Sequence, residues 1–234
     1  AWARLQPDSV ALDFYGHSLS YAELDQQSDR CAALLTELGV RPGDRVAVFM
    51  PNCPQLHITF YAILKCGAVY APVSPLSKAL ELSYQLKDSG AQVLLCFDQL
   101  LPVVRAVRDD CALRHVLASS LSELRPAAPS IPVADLLLAP KISADDCLDF
   151  YPALAACTAA VPSHRPQLDD LAALNYTGGT TGLPKGCMHS HRDMLYTCAS
   201  FVPTALGLDR DSVLLNFLPE FWIAGENAGL LFPV

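Results

Sequence analysis

The sequence lacks a long apolar run, a cluster of basic residues and a leader-like start, and each absence excludes a class of protein. No stretch approaches the roughly 18 uninterrupted apolar residues that a membrane-spanning helix needs. The 16 basic and 24 acidic side chains leave a net charge of -8, and no Lys/Arg block suited to a phosphodiester backbone occurs. The composition therefore predicts a soluble globular protein with no transmembrane segment and no nucleic-acid partner.

The start of the chain has no apolar stretch after basic residues, so no signal peptide is recognised and a cytoplasmic location is predicted. The nine cysteines are scattered without a CxxC pair, which favours reduced, mostly buried thiols over a disulfide framework. The nearest approach to a metal site is Cys187, His189 and His191, whose alternate spacing would place them on one face of a strand. No fourth ligand is suggested nearby, so strand packing is favoured and no metal ligand is predicted.

The remaining pattern alternates short apolar runs with amphipathic segments. Ser20 and Glu23 form a capping box before a helix that Gly39 is placed to end. Strands and helices then follow in turn, with strands predicted at 45–50, 68–73, 92–97 and 114–119 and helices at 52–67, 77–88 and 99–108. This alternation predicts an α/β fold with a largely parallel sheet covered by helices.

The pattern divides the chain into three parts. Residues 1–124 are predicted to form a βα-alternating subdomain, and 125–166 a proline-rich, irregular connection. Residues 167–234 are predicted to begin a second βα subdomain. Its predicted elements are strands at 171–177, 186–191 and 212–219 and a helix at 192–207.

One stretch of the second part, "NYTGGTTGLPKGCMHSH" (175–191), is unusually rich in glycine and threonine. Glycines leave backbone amides accessible and permit turns that point successive amides at one anion, while threonine hydroxyls and Lys185 add donors and charge. Pro184 and Gly186 flank the lysine, so the stretch is not a Walker A loop. A phosphate cradle is favoured over the alternative, a simple hairpin whose lysine is solvated.

The segment "YTGGTTGLPKG" resembles the phosphate-binding signature of the adenylate-forming superfamily, which includes acyl-CoA synthetases, luciferases and peptide-synthetase adenylation domains. It departs at Gly178, where that family usually has serine. The resemblance extends to "GDRVA" and "PN" in the first part and to "CMHSH" and "LPEFW" in the last. It implies the N-terminal domain of the adenylate-forming fold, of the long-chain fatty acid–CoA ligase type.

The resemblance also implies the reaction and the site. ATP would activate a carboxylic acid, with a fatty acid as the expected class, as an acyl adenylate, with Mg²⁺ bridging the phosphates, and coenzyme A would accept the acyl group. Lys185 and Thr181 are the implied catalytic residues. The implied nucleotide-binding residues are Thr177, Gly178, Gly179, Thr180, Thr181, Gly182, Lys185 and Gly186.

The segment "FLPEFWIAGENAG" resembles the family segment that lines the acyl pocket, which implicates Phe221, Trp222 and Gly225. Trp222 stands where many members have histidine, and this favours an aromatic wall against an apolar or aryl group. The alternative is that Phe221 and Trp222 are ordinary core aromatics. Glu220 and Glu226 are either functional or solvated surface carboxylates, and the surface interpretation is favoured.

Later family motifs, "YGxTE" and "TGD", and the small C-terminal domain are absent from this sequence. The chain is therefore expected to be the N-terminal portion of a longer ligase and to be unable to complete adenylation alone. Uncovered apolar surface would favour a homodimer. Two other functions stay open, namely an aryl-acid or amino-acid adenylation domain that loads a carrier protein, and a non-catalytic nucleotide-binding module.

Overall fold

The computed structural model describes residues 2–143, 145–178, 183–202, 206–209 and 211–233. A short helix and a hairpin lead into a long amphipathic helix. These elements are α1 (Trp2–Leu5), β1 (Val10–Phe14), β2 (His17–Ser20) and α2 (Tyr21–Glu37). The predicted capping box is confirmed, because the Glu23 amide donates to Ser20 Oγ and the Ser20 amide donates to the Glu23 carboxylate. Gly39 follows the helix at a φ of +94°, which glycine adopts without strain.

A seven-stranded sheet forms the centre of the molecule, and it confirms the predicted α/β class. Its strands are β3 (Arg45–Phe49), β4 (Val69–Pro72), β5 (Val93–Phe97), β6 (His115–Ser119), β7 (Leu148–Asp149), β8 (Leu171–Tyr176) and β9 (Gly186–Ser190). They lie in the order β7-β6-β5-β3-β4-β8-β9. All neighbouring pairs are parallel except β8 and β9, which form an antiparallel hairpin at one edge.

Helices cover both faces of this sheet. After α2 they are α3 (Pro54–Lys65), α4 (Ala79–Ser89), α5 (Leu101–Arg105), α6 (Asp135–Leu138), α7 (Phe150–Ala156), α8 (His191–Phe201) and α9 (Ile223–Gly225). The last continues into a π-helical turn, Glu226–Leu231. The helix predicted at 99–108 is broken into a 3₁₀ turn, α5 and a second 3₁₀ turn. Pro102 has no amide hydrogen to donate, so it fits the first turn of α5 but not a helix interior.

The core has two layers because the sheet is buried on both sides. Val46 and Val48 of β3 pack in the layer beneath α2 and α3, whereas Ala47 and Phe49 pack in the layer beneath α4 and α5. Adjacent residues of one strand thus serve opposite layers. This explains why the central strands read as continuous apolar runs instead of alternating patterns.

The strand predicted at 212–219 is wrong. The described residues there form no strand, and Val213 and Leu215 are 96% and 86% exposed. An apolar run becomes a strand only where a neighbouring strand accepts its backbone hydrogen bonds. Within the described part of the chain, no strand pairs with it.

The stretch 125–166 contains more regular structure than predicted. Besides α6 and α7 it supplies β7, which pairs with β6 at the sheet edge through Leu117 and Leu148. Strands β4 and β8, which precede and follow this stretch, are neighbours in the same sheet. The division of the chain at 125–166 into subdomains stays a prediction.

Cys31, Cys53, Cys66 and Cys96 are buried free thiols, and the free thiol of Cys187 is exposed. Burial raises the pKa of the Cys31 thiol well above its ordinary value. Within the described ranges, no helix has both the length and the hydropathy that crossing a bilayer requires.

Candidate functional site

The predicted phosphate loop connects β8 to β9, and its two ends are tied together. The amide of Thr177 donates to the Lys185 carbonyl oxygen over 3.0 Å, and the Thr177 hydroxyl oxygen lies 3.4 Å from the Lys185 amide nitrogen. Tyr176 and Gly186 are paired directly beneath them. Thr177 and Lys185 therefore form the neck of the loop, at the carboxyl end of a sheet strand where ligands bind in α/β folds.

Helix α4 anchors the base of this loop. The Tyr84 hydroxyl donates to the carbonyl oxygen of Pro184 over 2.8 Å, and the Tyr176 hydroxyl donates to Asp88 over 2.6 Å. The two tyrosine rings meet edge to face with centroids 6.5 Å apart. Burial, followed by this bond to Asp88, raises the pKa of Tyr176, so the phenol stays protonated and can donate.

Lys185 is exposed at the neck, and within the described ranges no ion pair involves it. Thr177 and Gly178 are exposed beside it. A Cβ atom added to Gly178 would meet no heavy atom of the described residues within 4 Å. The predicted site residues Gly179, Thr180, Thr181 and Gly182 lie outside the described residues.

Gly186, by contrast, is required by close packing. A Cβ atom there would lie 2.9 Å from Leu174 Cδ1 and 3.4 Å from Tyr176 Cζ. The glycine lets the start of β9 lie directly on side chains of β8. Gly186 therefore allows close packing at the base of the loop. The nucleotide contact that was predicted for Gly186 stays a prediction.

The segment predicted to line the acyl pocket is held by Asn52. The side-chain amide of Asn52 donates to the Leu218 carbonyl oxygen over 2.7 Å, and the backbone amide of Glu220 donates to the Asn52 side-chain oxygen over 2.9 Å. A single asparagine side chain thus satisfies one donor and one acceptor of the segment backbone. The "PN" and "LPEFW" landmarks, far apart in sequence, meet in the fold.

Glu220 is buried, so its interpretation as a surface carboxylate is wrong. His57 Nε2 lies 3.1 and 3.2 Å from its two carboxylate oxygens, and the Asn216 side-chain amide donates to it over 2.8 Å. Only 3% of Glu220 and 7% of His57 are exposed. A buried carboxylate needs such partners, and here they come from α3 and from the segment itself.

Two glycines let α9 and the π-helical turn pack closely against Pro219 and Glu220. A Cβ atom on Gly225 would lie 2.0 Å from the Pro219 carbonyl oxygen, and one on Gly229 would lie 2.1 Å from Glu220 Oε1. Gly225 is therefore placed by packing against the segment backbone. Phe221 and Trp222 meet edge to face at 5.1 Å, and Trp222 is 53% exposed. Because about half of its surface is exposed among the described residues, Trp222 is not an ordinary core aromatic.

Glu226 is also buried, again contrary to the surface interpretation. It is 0% exposed, and the Asn175 side-chain amide donates to its Oε2 over 2.6 Å. Its Oε1 has no hydrogen-bond partner among the described residues. Burial raises the pKa of Glu226 to about 7, although the bond from Asn175 acts in the opposite direction. Asn175 lies on β8, two positions before Thr177, so this contact joins β8, which leads into the predicted phosphate loop, to the predicted pocket segment.

A pH dependence of stability follows from Glu226. Its pKa is about 7 in the folded chain and 4.5 ordinarily, so between these values the folded chain binds the extra proton. The free energy of unfolding should therefore fall as pH rises from 4.5 to 7, by up to about 3 kcal/mol. Urea unfolding of wild type and Glu226→Gln at several pH values in this range gives the free energy of unfolding of each as a function of pH. The difference between the two slopes measures the effect of Glu226. Identical slopes would contradict the assignment.

The predicted strand face of Cys187, His189 and His191 is only partly correct. Cys187 and His189 lie on β9, whereas His191 is the first residue of α8. The strand ends because Ser190 caps this helix, accepting from the Asp193 amide over 3.2 Å. Among the described residues, no group of three or more His, Cys, Asp or Glu side chains could hold a metal ion.

Sequence reasoning missed Asn52, His57 and Asn175 as partners of the candidate segment. One signal in the sequence could have indicated that such partners exist, namely the two carboxylates, Glu220 and Glu226, in an otherwise apolar stretch that contains glycines. Carboxylates that are buried with such a stretch require hydrogen-bond partners from elsewhere in the chain. The identity of those partners is not visible locally. His57 and Glu220 are 163 positions apart.

The chain matches a known protein family over its full length. Residues 1–234 match the profile of the family described as AMP-binding enzyme. A long-chain-fatty-acid–CoA ligase of Bacillus subtilis (strain 168) is 31% identical over 239 aligned residues, covering 97% of this chain and 42% of that protein. A feruloyl-CoA synthase of an Amycolatopsis species is 32% identical over 213 residues, covering 91% of this chain and 36% of that protein.

The fold is similar to that of a solved anthranilate CoA ligase in complex with anthranoyl-AMP. The TM-score is 0.86 at 23% identity, and the match covers 99% of this chain and 42% of that one. At this identity the likeness concerns the fold alone. The chain spans less than half the length of each of these three relatives.

Proposed function

Because the chain belongs to the AMP-binding enzyme family, we propose that it carries the phosphate-binding part of an acyl-CoA ligase. In the proposed reaction a carboxylate attacks the α-phosphorus of ATP, giving an acyl adenylate and pyrophosphate. The thiol of coenzyme A then loses its proton and accepts the acyl group, and AMP is released. The observation that carries this proposal is the loop neck. There Lys185 is an exposed cation with no ion pair among the described residues, at the carboxyl end of β8.

Lys185 is proposed to neutralise charge on the leaving pyrophosphate. Phosphoryl chemistry of this kind needs positioning and electrostatic stabilisation more than covalent participation by the protein. Thr177, at the neck, would add a hydroxyl donor. Thr180 and Thr181, with Gly179 and Gly182, are proposed to surround the phosphates, and Thr181 to assist Lys185.

The resemblance also implies Mg²⁺, which would screen the phosphate charges when bound. No metal-holding group of three or more side chains occurs in the described ranges. The described residues therefore do not by themselves build a site for the ion, and no step is assigned to it.

We propose an apolar acid as the substrate, with a fatty acid as the first candidate. The support is the Phe221–Trp222 ring pair and the similarity to a long-chain-fatty-acid–CoA ligase. An aryl acid is the second candidate, because an edge-to-face ring pair suits a planar group and a feruloyl-CoA synthase is equally similar. A cytoplasmic location stays a prediction.

Lys185→Ala is expected to weaken MgATP binding to the chain at least about tenfold, because the variant loses a charge-assisted contact to phosphate. Isothermal titration calorimetry of wild type and variant measures this change. Gly178→Ser, which has room for its side chain, is expected to strengthen binding by adding a donor.

The matched control is Lys87→Ala. Lys87 is exposed in the last turn of α4 and outside the loop, so its removal should leave the affinity unchanged. Equal affinities of wild type and Lys185→Ala would show that the loop is only a hairpin, and would contradict the proposed function.

A further inference from the structure

A second cleft lies away from the phosphate loop, with a volume of about 600 Å³. It is formed by α1, by the N-terminal half of α2, by the C-terminal half of α3, by residues 161–166 and by the start of α8. This volume is within the range of pockets that bind small organic ligands. Nothing in the proposed adenylation chemistry uses these residues.

The cleft is separated from the phosphate loop by the length of β8. His191, which lines the cleft, follows Ser190, and Ser190 pairs with Leu171 at the first residue of β8. The loop begins at Thr177, after the last residue of that strand. Six residues at about 3.3 Å each place the two sites roughly 20 Å apart. The cleft and the loop are therefore different sites.

One side of the cleft is aromatic. Trp2 and Tyr21 lie with ring centroids 6.2 Å apart and an interplanar angle of 32°, and Tyr61 is the third ring. The hydroxyl of Tyr21 donates to the Pro233 carbonyl oxygen, and that of Tyr61 donates to the Leu230 carbonyl oxygen. These bonds hold the two phenol rings in place, so the aromatic wall is largely preformed.

The charged part of the lining has a small excess of basic groups, with Arg4, Lys65 and Arg165 against Asp25 and Asp29, in a chain whose net charge is -8. Lys65 is neutralised by Asp25 and Asp29, at 2.6 and 2.7 Å. Arg4 and Arg165 also line the cleft, are exposed, and take part in no ion pair found within the described ranges. Two guanidinium groups that form no ion pair within the described ranges therefore line the same cleft as the aromatic wall.

Two imidazoles complete the cleft. The ring of His164 lies against Gly67, where an added Cβ atom would be 2.3 Å from His164 Cδ2, so the 161–166 stretch packs just beyond the C-terminal end of α3. His191 Nε2 is buried without a hydrogen-bond partner among the described residues. A buried polar atom of this kind is normally satisfied by water or by a ligand.

We propose that this cleft binds an organic anion that carries a planar aromatic ring. The ring would stack on Trp2 and the tyrosines, and Arg4 and Arg165 would hold the anionic group, since guanidinium binds phosphate or carboxylate through paired donors. The proposal does not depend on the proposed ligase function.

The chain provides its own reporter for this test. Trp2 and Trp222 are its two tryptophans, so Trp222→Phe leaves Trp2 as the single tryptophan, at the cleft wall. Phenyl phosphate is the probe and inorganic phosphate the comparison, because they share the anion and differ in the ring. Phenyl phosphate should change Trp2 fluorescence in a saturable manner, and inorganic phosphate should do so at least tenfold more weakly.

Arg4→Ala with Arg165→Ala, in the same background, is expected to weaken the phenyl phosphate response at least tenfold. Arg30→Ala is the matched control, because Arg30 is an exposed arginine of α2 that does not line the cleft, and it should have no effect. Lys185→Ala should also have no effect, which separates this site from the phosphate loop. The absence of a saturable response, or a response that the Arg4 and Arg165 changes leave intact, would overturn the proposal.

Discussion

Replacing Gly225 by alanine is expected to lower the free energy of unfolding by about 3 kcal/mol. The added Cβ atom would lie 2.0 Å from the Pro219 carbonyl oxygen and 2.8 Å from the Glu220 nitrogen. Both are backbone atoms, which cannot rotate away as a side chain can. To relieve the contact, α9 must move off residues 218–220 and the bond from the Trp222 amide to Pro219 is disturbed.

Helix propensity acts in the opposite direction, which makes this prediction discriminating. Gly225 has helical φ and ψ of -72° and -38°, and in an open helix alanine would be favoured there by about 1 kcal/mol. If propensity controlled the outcome, the variant would be more stable than wild type. We expect the steric contact to dominate because its distance is far below any ordinary van der Waals separation.

Equilibrium urea unfolding followed by circular dichroism measures the effect. The matched control is Gly178→Ala, where the new Cβ atom meets no described residue within 4 Å, so its stability should stay within about 0.5 kcal/mol of wild type. A Gly225→Ala variant as stable as this control would contradict the packing of α9 described above.

Glu220→Ala is the second change with a large expected effect, a loss of about 3 kcal/mol in the free energy of unfolding. Removing the carboxylate leaves His57 and Asn216 without their shared partner in a buried position. It also opens a cavity beside Gly229, which packs against Glu220 Oε1. The cost therefore combines unsatisfied polar groups with lost packing.

A double-mutant cycle with His57→Ala identifies the cause. If the imidazole–carboxylate pair carries the effect, the double variant should lose much less stability than the two single changes together. Glu220→Gln keeps the shape and an acceptor for Asn216, so it should cost less than half as much as alanine. Strict additivity in the cycle, together with equal effects of glutamine and alanine, would contradict the assigned role of the pair.

Much of the fold could be predicted because its signals are local. The capping box before α2 consists of residues three positions apart, and the strands β3 to β6 are apolar runs separated by segments with helical periodicity. The predicted phosphate loop also depends on a local signal, since its glycines, its threonines and Lys185 all lie within residues 177–186. Local sequence was misleading at 212–219, where apolar character is not accompanied by a strand in the described region.

The sequence by itself determined the βα alternation and the sheet class, since each depends on neighbouring residues, and the phosphate loop stays a prediction from the same kind of local signal. Only the tertiary structure decided that Glu220 and Glu226 are buried and that β7 completes the sheet edge. It also brought Asn175 to Glu226, 51 positions away. The physical reason is that burying a carboxylate is tolerated only where partners from other elements satisfy it. Those partners are brought into position only when the chain has folded.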